Sequence, residues 1–68
     1  MTLYYVNKQA QDNRDHEVHR SDCYYLPSEE NRQYLGLFTN CHDAVREAKK
    51  YYNQSNGCKF CSIECHTT

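Results

Sequence analysis

The chain has 68 residues, with eight lysines and arginines against nine aspartates and glutamates, and a formal net charge of -1 at pH 7. A chain of this length forms one domain, residues 1–68, and lies near the size at which apolar burial alone barely exceeds the loss of chain entropy. The balanced charge does not indicate a general phosphate-binding surface, and no apolar run approaches the roughly 20 residues that span a bilayer.

Three strands are predicted. Residues 3–7 are rich in Tyr and Val and form the first, residues 17–20 return antiparallel to it, and residues 34–38 form a short apolar third strand, in which Gly36 suggests a bulge. Successive side chains of a strand alternate between its faces, so His16 and His19 should point in opposite directions.

One helix is predicted to begin after Asn40, which suits an N-cap because Asp43 follows three residues later. Cys41 is expected to be an unligated core thiol, since free cysteine behaves as a small hydrophobe. Gly57 is expected to stop this segment in a left-handed conformation. Apolar residues recur at helical spacing as one stripe, Cys41, Ala44, Val45, Ala48 and Tyr52.

These elements predict an α+β fold, in which a short antiparallel sheet of about three strands packs on one main α-helix and is followed by a C-terminal Cys-x-x-Cys knuckle. Five cysteines suggest either a disulfide framework or a metal site. The first residues lack the basic start, apolar run and cleavage site of a secretory signal, and the cysteine count is odd. We therefore expect a cytoplasmic, metal-binding protein.

Two chelating pairs lie far apart in the sequence. His19 and Cys23 form a His-x-x-x-Cys pair, and Cys58 and Cys61 form a Cys-x-x-Cys pair. The two-residue spacing lets a tight turn direct both thiolates at one ion, and three cysteines with one histidine make a closed tetrahedral set that leaves no position for water. We expect one structural Zn²⁺ to be held by these four residues and to join the two parts of the chain.

Two further residues are alternative ligands. Cys65 and His66 follow Cys61 by four and five residues, and a helical turn would let one of them replace His19. His42 is expected on the exposed side of the helix and His16 at the edge of a loop.

Several short motifs occur in a characteristic order along residues 5–61, namely His19 and Cys23, Glu30 and Asn31, Phe38 and Asn40, Asp43 and Ala44, and Cys58 and Cys61. This order resembles the Ada-type metal-binding domain, the zinc module of bacterial alkylation-response regulators. The resemblance implies a bound zinc ion and a nucleic-acid partner. The methyl-accepting cysteine of that family corresponds to His19 here, so the resemblance does not extend to self-methylation.

The sequence contains no Ser-His-Asp order, phosphate-binding loop or paired-carboxylate cleft, so we do not expect an enzyme. It predicts a monomeric zinc module, without a membrane, that acts as an adaptor for an unidentified protein or nucleic acid. One alternative is a nucleic-acid-binding domain that uses tyrosine pairs for stacking, although one ring of each pair should face the core. The pairs are Tyr4 and Tyr5, Tyr24 and Tyr25, and Tyr51 and Tyr52. The other is a thiol-reactive acceptor of alkyl groups or oxidants at Cys65 or at a zinc thiolate.

Overall fold

In a computed structural model, which describes residues 1–67, four strands form a mixed sheet that packs on one α-helix. The α+β class is therefore confirmed. The predicted antiparallel sheet of about three strands does not match, because a short fourth strand follows the helix and pairs in parallel. The predicted C-terminal knuckle does not match fully either, because a 3-10 turn follows Cys61. The elements are β1 (Thr2–Asn7), β2 (His16–Arg20), β3 (Arg32–Phe38), α1 (Cys41–Ala48) and β4 (Ser55–Gly57), with 3-10 turns at Glu29–Asn31 and Ile63–Cys65.

The sheet has the order β3-β1-β2-β4, in which β1 is antiparallel to β3 and to β2, and β4 is parallel to β2. Val6 of β1 pairs with Val18 of β2, and both side chains are fully buried beneath α1. The register of β1 against β3 shifts near Gly36, which has a positive φ of 128°. The predicted irregularity at this glycine is confirmed.

Helix α1 begins as predicted, because the Asn40 side chain accepts a 2.9 Å hydrogen bond from the Asp43 amide. The helix is shorter than the apolar stripe implied, ending at Ala48, and residues 49–51 continue as a turn. Tyr52 instead stacks its ring on His16, with the ring centroids 4.0 Å apart. His16, predicted at the edge of a loop, is the first residue of β2 directly after that loop, and its ring belongs to a packed pair.

Cys41 is not a free core thiol as predicted, because it forms a disulfide with Cys65. The packing of α1 against the C-terminal 3-10 turn brings together two cysteines that lie 24 residues apart. Cys23, Cys58 and Cys61 remain free. The chain thus combines a disulfide with a group of thiols, which corrects the prediction that the cysteines serve a metal site rather than disulfides.

Strand β4 has only three residues, but all of them are buried. Asp15, just before β2, accepts hydrogen bonds from the Gln54 side chain at 2.7 Å and from the Asn56 side chain at 3.3 Å. These bonds fix β4 beside β2. Gly57 does not have the predicted left-handed φ, since Gly36 is the glycine with a positive φ among residues 1–67.

Gly57 is required for space rather than for conformation. A Cβ atom added there would lie 2.6 Å from the Cys65 Cβ and 2.6 Å from the Ser62 carbonyl oxygen. The chain therefore passes itself closely at the point where β4 meets the C-terminal turn.

Across residues 1–67, no helix combines the length and the apolar character that crossing a membrane requires.

Candidate metal centre

The parallel pairing of β2 and β4 creates the candidate site. Val18 is paired with Gly57, and the Cys58 amide donates a 3.0 Å hydrogen bond to the Val18 carbonyl oxygen. The residues that follow this pair, His19 and Cys58, therefore emerge side by side. Since parallel strands end at the same edge of a sheet, the turns that carry Cys23 and Cys61 also meet there.

The four side chains converge on one point. The ligand atoms of His19, Cys23, Cys58 and Cys61 all lie within 4.8 Å of one another. The Cys23 and Cys58 sulfurs are 3.9 Å apart. Tetrahedral zinc with Zn–S bonds of 2.3 Å separates neighbouring sulfurs by about 3.8 Å, so this spacing suits an ion between them.

His19 is the most informative member, because its side chain is buried and incompletely satisfied. The residue is 1% exposed, and its Nδ1 has no hydrogen-bond partner among the described residues. Its Nε2 faces the Glu17 carboxylate at 3.7 Å. A metal-bound imidazole typically directs its second nitrogen at a carboxylate, which leaves Nδ1 for the ion. Glu17 and His19 are two residues apart on β2, so they lie on the same face of the strand.

Each of the three free sulfurs accepts a hydrogen bond from a backbone amide. Such bonds stabilise a thiolate and are a common outer shell of metal sites. The amide donors and their sulfur acceptors are Arg20 to Cys61 at 3.3 Å, Tyr25 to Cys23 at 3.4 Å and Phe60 to Cys58 at 3.4 Å.

The three thiols differ in acidity. Burial raises the pKa of Cys23 to about 12 and also raises the pKa of Cys58. Burial acts in the same direction on Cys61, but the neighbouring His19 imidazole and the hydrogen bond from the Arg20 amide outweigh it and lower the pKa to about 6. At neutral pH, Cys61 therefore supplies a thiolate, and an arriving cation would displace the protons of the other two thiols.

The alternative ligands lie outside this cluster. Cys65 is bonded to Cys41, and the His66 Nδ1 donates a 3.0 Å hydrogen bond to the Gly57 carbonyl oxygen. His42 lies on the exposed side of α1, as predicted, where its Nε2 is 4.0 Å from the Glu64 carboxylate. The structure therefore brings His19, rather than Cys65 or His66, to the three free thiols.

Three exposed rings sit on the two turns of the site, and we call Tyr24, Tyr25 and Phe60 the aromatic surface. Their exposed fractions are 92%, 53% and 62%. The Tyr25 centroid lies 4.5 Å from that of Phe60 and 5.2 Å from that of Tyr24. The expectation that one ring of each tyrosine pair faces the core was wrong for Tyr24 and Tyr25, because they lie in a turn rather than a strand.

Comparison with protein-family models, with curated proteins and with solved structures finds no match for the chain.

Proposed function

We propose that the chain is a structural zinc module, in which His19, Cys23, Cys58 and Cys61 hold one Zn²⁺. One observation carries the proposal. Three sulfurs that accept hydrogen bonds from backbone amides lie beside a buried imidazole whose Nδ1 has no hydrogen-bond partner among the described residues. Three thiolates and one imidazole form a soft, closed tetrahedral shell that suits zinc and leaves no position for a reacting water. The ion would therefore stabilise the fold rather than catalyse hydrolysis.

Coordination of the ion would also stabilise the fold. An unpaired buried nitrogen costs about 1–3 kcal/mol, and coordination would remove that cost. The ion would also cross-link Cys23 and Cys58, which lie 35 residues apart in the sequence. Binding free energy enters the folding free energy directly when no preformed site exists in the unfolded chain.

Metal content and thermal unfolding test the module. Native mass spectrometry of the full chain should find one zinc per chain, and chelation should abolish cooperative unfolding measured by circular dichroism. Cys58→Ser should lose the metal. His66→Ala is the control, because it removes a half-buried histidine that lies outside the four-residue group, and it should retain zinc. A zinc-free chain that unfolds cooperatively at the same temperature would refute the proposal.

The aromatic surface supports a binding role for the module. Large exposed rings in mutual contact are typical of interaction surfaces. Tyr24 and Tyr25 follow Cys23, while Phe60 lies between Cys58 and Cys61, so the ion would assemble the surface by joining its two halves. We therefore propose an adaptor that presents these rings to a partner.

Single-stranded nucleic acid is the partner that the local charges favour. The Lys59 ammonium lies 5.5 Å from the Phe60 ring centroid, and Arg20, which is paired with Asp22 at 2.9 Å, lines the same hollow of about 320 Å³ as the rings. Cations beside exposed rings suit a phosphate backbone with stacked bases. The resemblance of the motif order to the Ada-type domain points the same way.

Fluorescence anisotropy with a labelled single-stranded oligonucleotide tests this partner. Binding should weaken as salt rises and should be lost in Phe60→Ala. Ile63→Ala is the matched control, because Ile63 is also an exposed apolar residue but lies outside the aromatic surface. Absence of binding at low salt would leave a protein as the partner. A thiol-reactive role at Cys65 is not proposed, because its sulfur is engaged in the disulfide.

A further inference from the structure

A second group of metal-ligating side chains lies apart from the proposed zinc site. The ligand atoms of Cys41, His42 and Cys65 lie within 4.8 Å of one another. A fourth candidate is adjacent, since the Glu64 Oε2 is 4.0 Å from the His42 Nε2. Cys41 and His42 begin α1, whereas Glu64 and Cys65 belong to the C-terminal 3-10 turn. The group therefore bridges two elements, as the first site does.

We propose that this group is a redox-gated second zinc site. With the Cys41–Cys65 disulfide formed, the sulfurs are unavailable to a metal. When a dithiol reductant breaks the S–S bond, it supplies two electrons and two protons, becomes a disulfide itself and leaves two thiols. Zinc then displaces both thiol protons and binds the two thiolates and His42, with Glu64 as the fourth ligand. The chain would hold one zinc when oxidised and two when reduced.

The surrounding contacts keep the two sulfurs together after reduction. Asn40 caps the start of α1 beside Cys41, and the helix is anchored in the core by Ala44, which is fully buried. On the other side, the Cys65 amide donates a 2.9 Å hydrogen bond to the Ser62 carbonyl oxygen. Two thiolates on zinc lie about 3.8 Å apart, so only a small opening between α1 and the turn is needed.

The position at the start of α1 favours thiolate chemistry at Cys41, because the helix dipole stabilises a negative charge there. His42 and Glu64 complete the group from the solvent side, with side chains 62% and 79% exposed. An ion could therefore enter without unfolding the chain. Two thiolates and the Glu64 carboxylate exceed the divalent charge by one, so the adjacent Arg46 and Lys49, which line the hollow over Cys65, would not repel the complex.

The experiment measures the zinc stoichiometry of the full chain by native mass spectrometry in two states. In the first the disulfide is intact, and in the second it has been reduced anaerobically by dithiothreitol and the excess reductant has been removed. Reduction should raise the content from one zinc to two. The content before reduction tests the first site, and the increment on reduction tests the second, so the two proposals fail separately. No increment in the reduced wild type would overturn the inference.

Variants at the exposed ligands test which side chains bind the second ion without disturbing the core. His42→Ala should weaken the second zinc by at least about tenfold, and Glu64→Gln should also weaken it. Arg46→Ala is the matched control, because Arg46 lines the same hollow but cannot ligate zinc. Co²⁺ substitution in the reduced chain should add thiolate charge-transfer absorption that is lost in Cys65→Ser. A second zinc of unchanged affinity in His42→Ala would refute the assigned ligand set.

Discussion

Replacement of Gly57 by alanine should damage the fold and the proposed zinc site together. The added Cβ would lie 2.6 Å from the Cys65 Cβ, 2.6 Å from the Ser62 carbonyl oxygen and 2.8 Å from the Cys65 carbonyl carbon, whereas ordinary contacts are 3.4–4 Å. Two of these three atoms belong to the backbone, so no side-chain rotation relieves the overlap. The C-terminal turn or β4 must move by about 1 Å.

The magnitude follows from how firmly both sides are held. Cys65 is fixed by its disulfide, and Cys58, adjacent to Gly57, is a proposed ligand. Overpacking of a well-packed interior costs about 1–3 kcal/mol, and we expect the upper end of this range because neither side can yield easily. In a domain of this size, about 3 kcal/mol lowers the Tm by roughly 12–24 °C.

Thermal unfolding by circular dichroism measures the change in Tm, and transfer of zinc to a chromophoric chelator measures how firmly the ion is held. Gly57→Ala should unfold at lower temperature and release zinc faster. Gly36→Ala is the comparison, because its Cβ would meet only the Phe38 ring at 3.4 Å and its cost would come from a positive φ. This control should lose about 1–2 kcal/mol and keep its zinc. A Gly57→Ala variant as stable as the wild type would refute the steric reasoning.

Three other predictions follow from the fold and the site. The double variant Cys41→Ala and Cys65→Ala should lose about 3–4 kcal/mol of unfolding free energy in urea under oxidising conditions, because the disulfide closes a long loop; equal stability would contradict this. Zinc affinity, measured by competition with a chelator, should fall as the pH is lowered, since the ligands must be deprotonated. Burial raises the pKa of Cys61, but hydrogen bonding outweighs it and lowers the pKa from 9.0 to about 6. The stabilisation of the folded state by the Cys61 thiolate is therefore fully present above pH 9 and is lost as the pH falls through about 6. Asp15→Asn should destabilise the chain by about 1–3 kcal/mol, because the buried carboxylate accepts hydrogen bonds that hold β4, while the exposed Asp12→Asn should leave the Tm nearly unchanged.

Local patterns allowed the start of α1 and the irregularity at Gly36 to be predicted, because capping and backbone freedom depend on a few neighbouring residues. The four candidate ligands were named from pair spacing for the same reason, since a Cys-x-x-Cys turn is itself a local structure. Their meeting, however, depends on β4, which the sequence did not reveal.

Strand β4 could not be predicted because Ser55, Asn56 and Gly57 have the composition of a turn. Their extended conformation arises from parallel pairing with β2 and from hydrogen bonds to Asp15, which are tertiary contacts. The disulfide was missed for a similar reason. A cysteine on the apolar stripe of a helix looks like a core residue until the packing of a distant turn supplies its partner.

The order of the cross-links along the chain has a consequence for proteolysis. Zinc at the proposed site would connect Cys23 to Cys58, and the disulfide connects Cys41 to Cys65, so the two connections overlap in sequence. A single cut between residues 24 and 57 would leave fragments joined through the metal, and one between residues 42 and 64 would leave them joined through the disulfide. Residues 8–14, which are all exposed, lie outside both connections. Cleavage in that loop would therefore leave β1 without a cross-link to the rest of the chain, so this strand could separate.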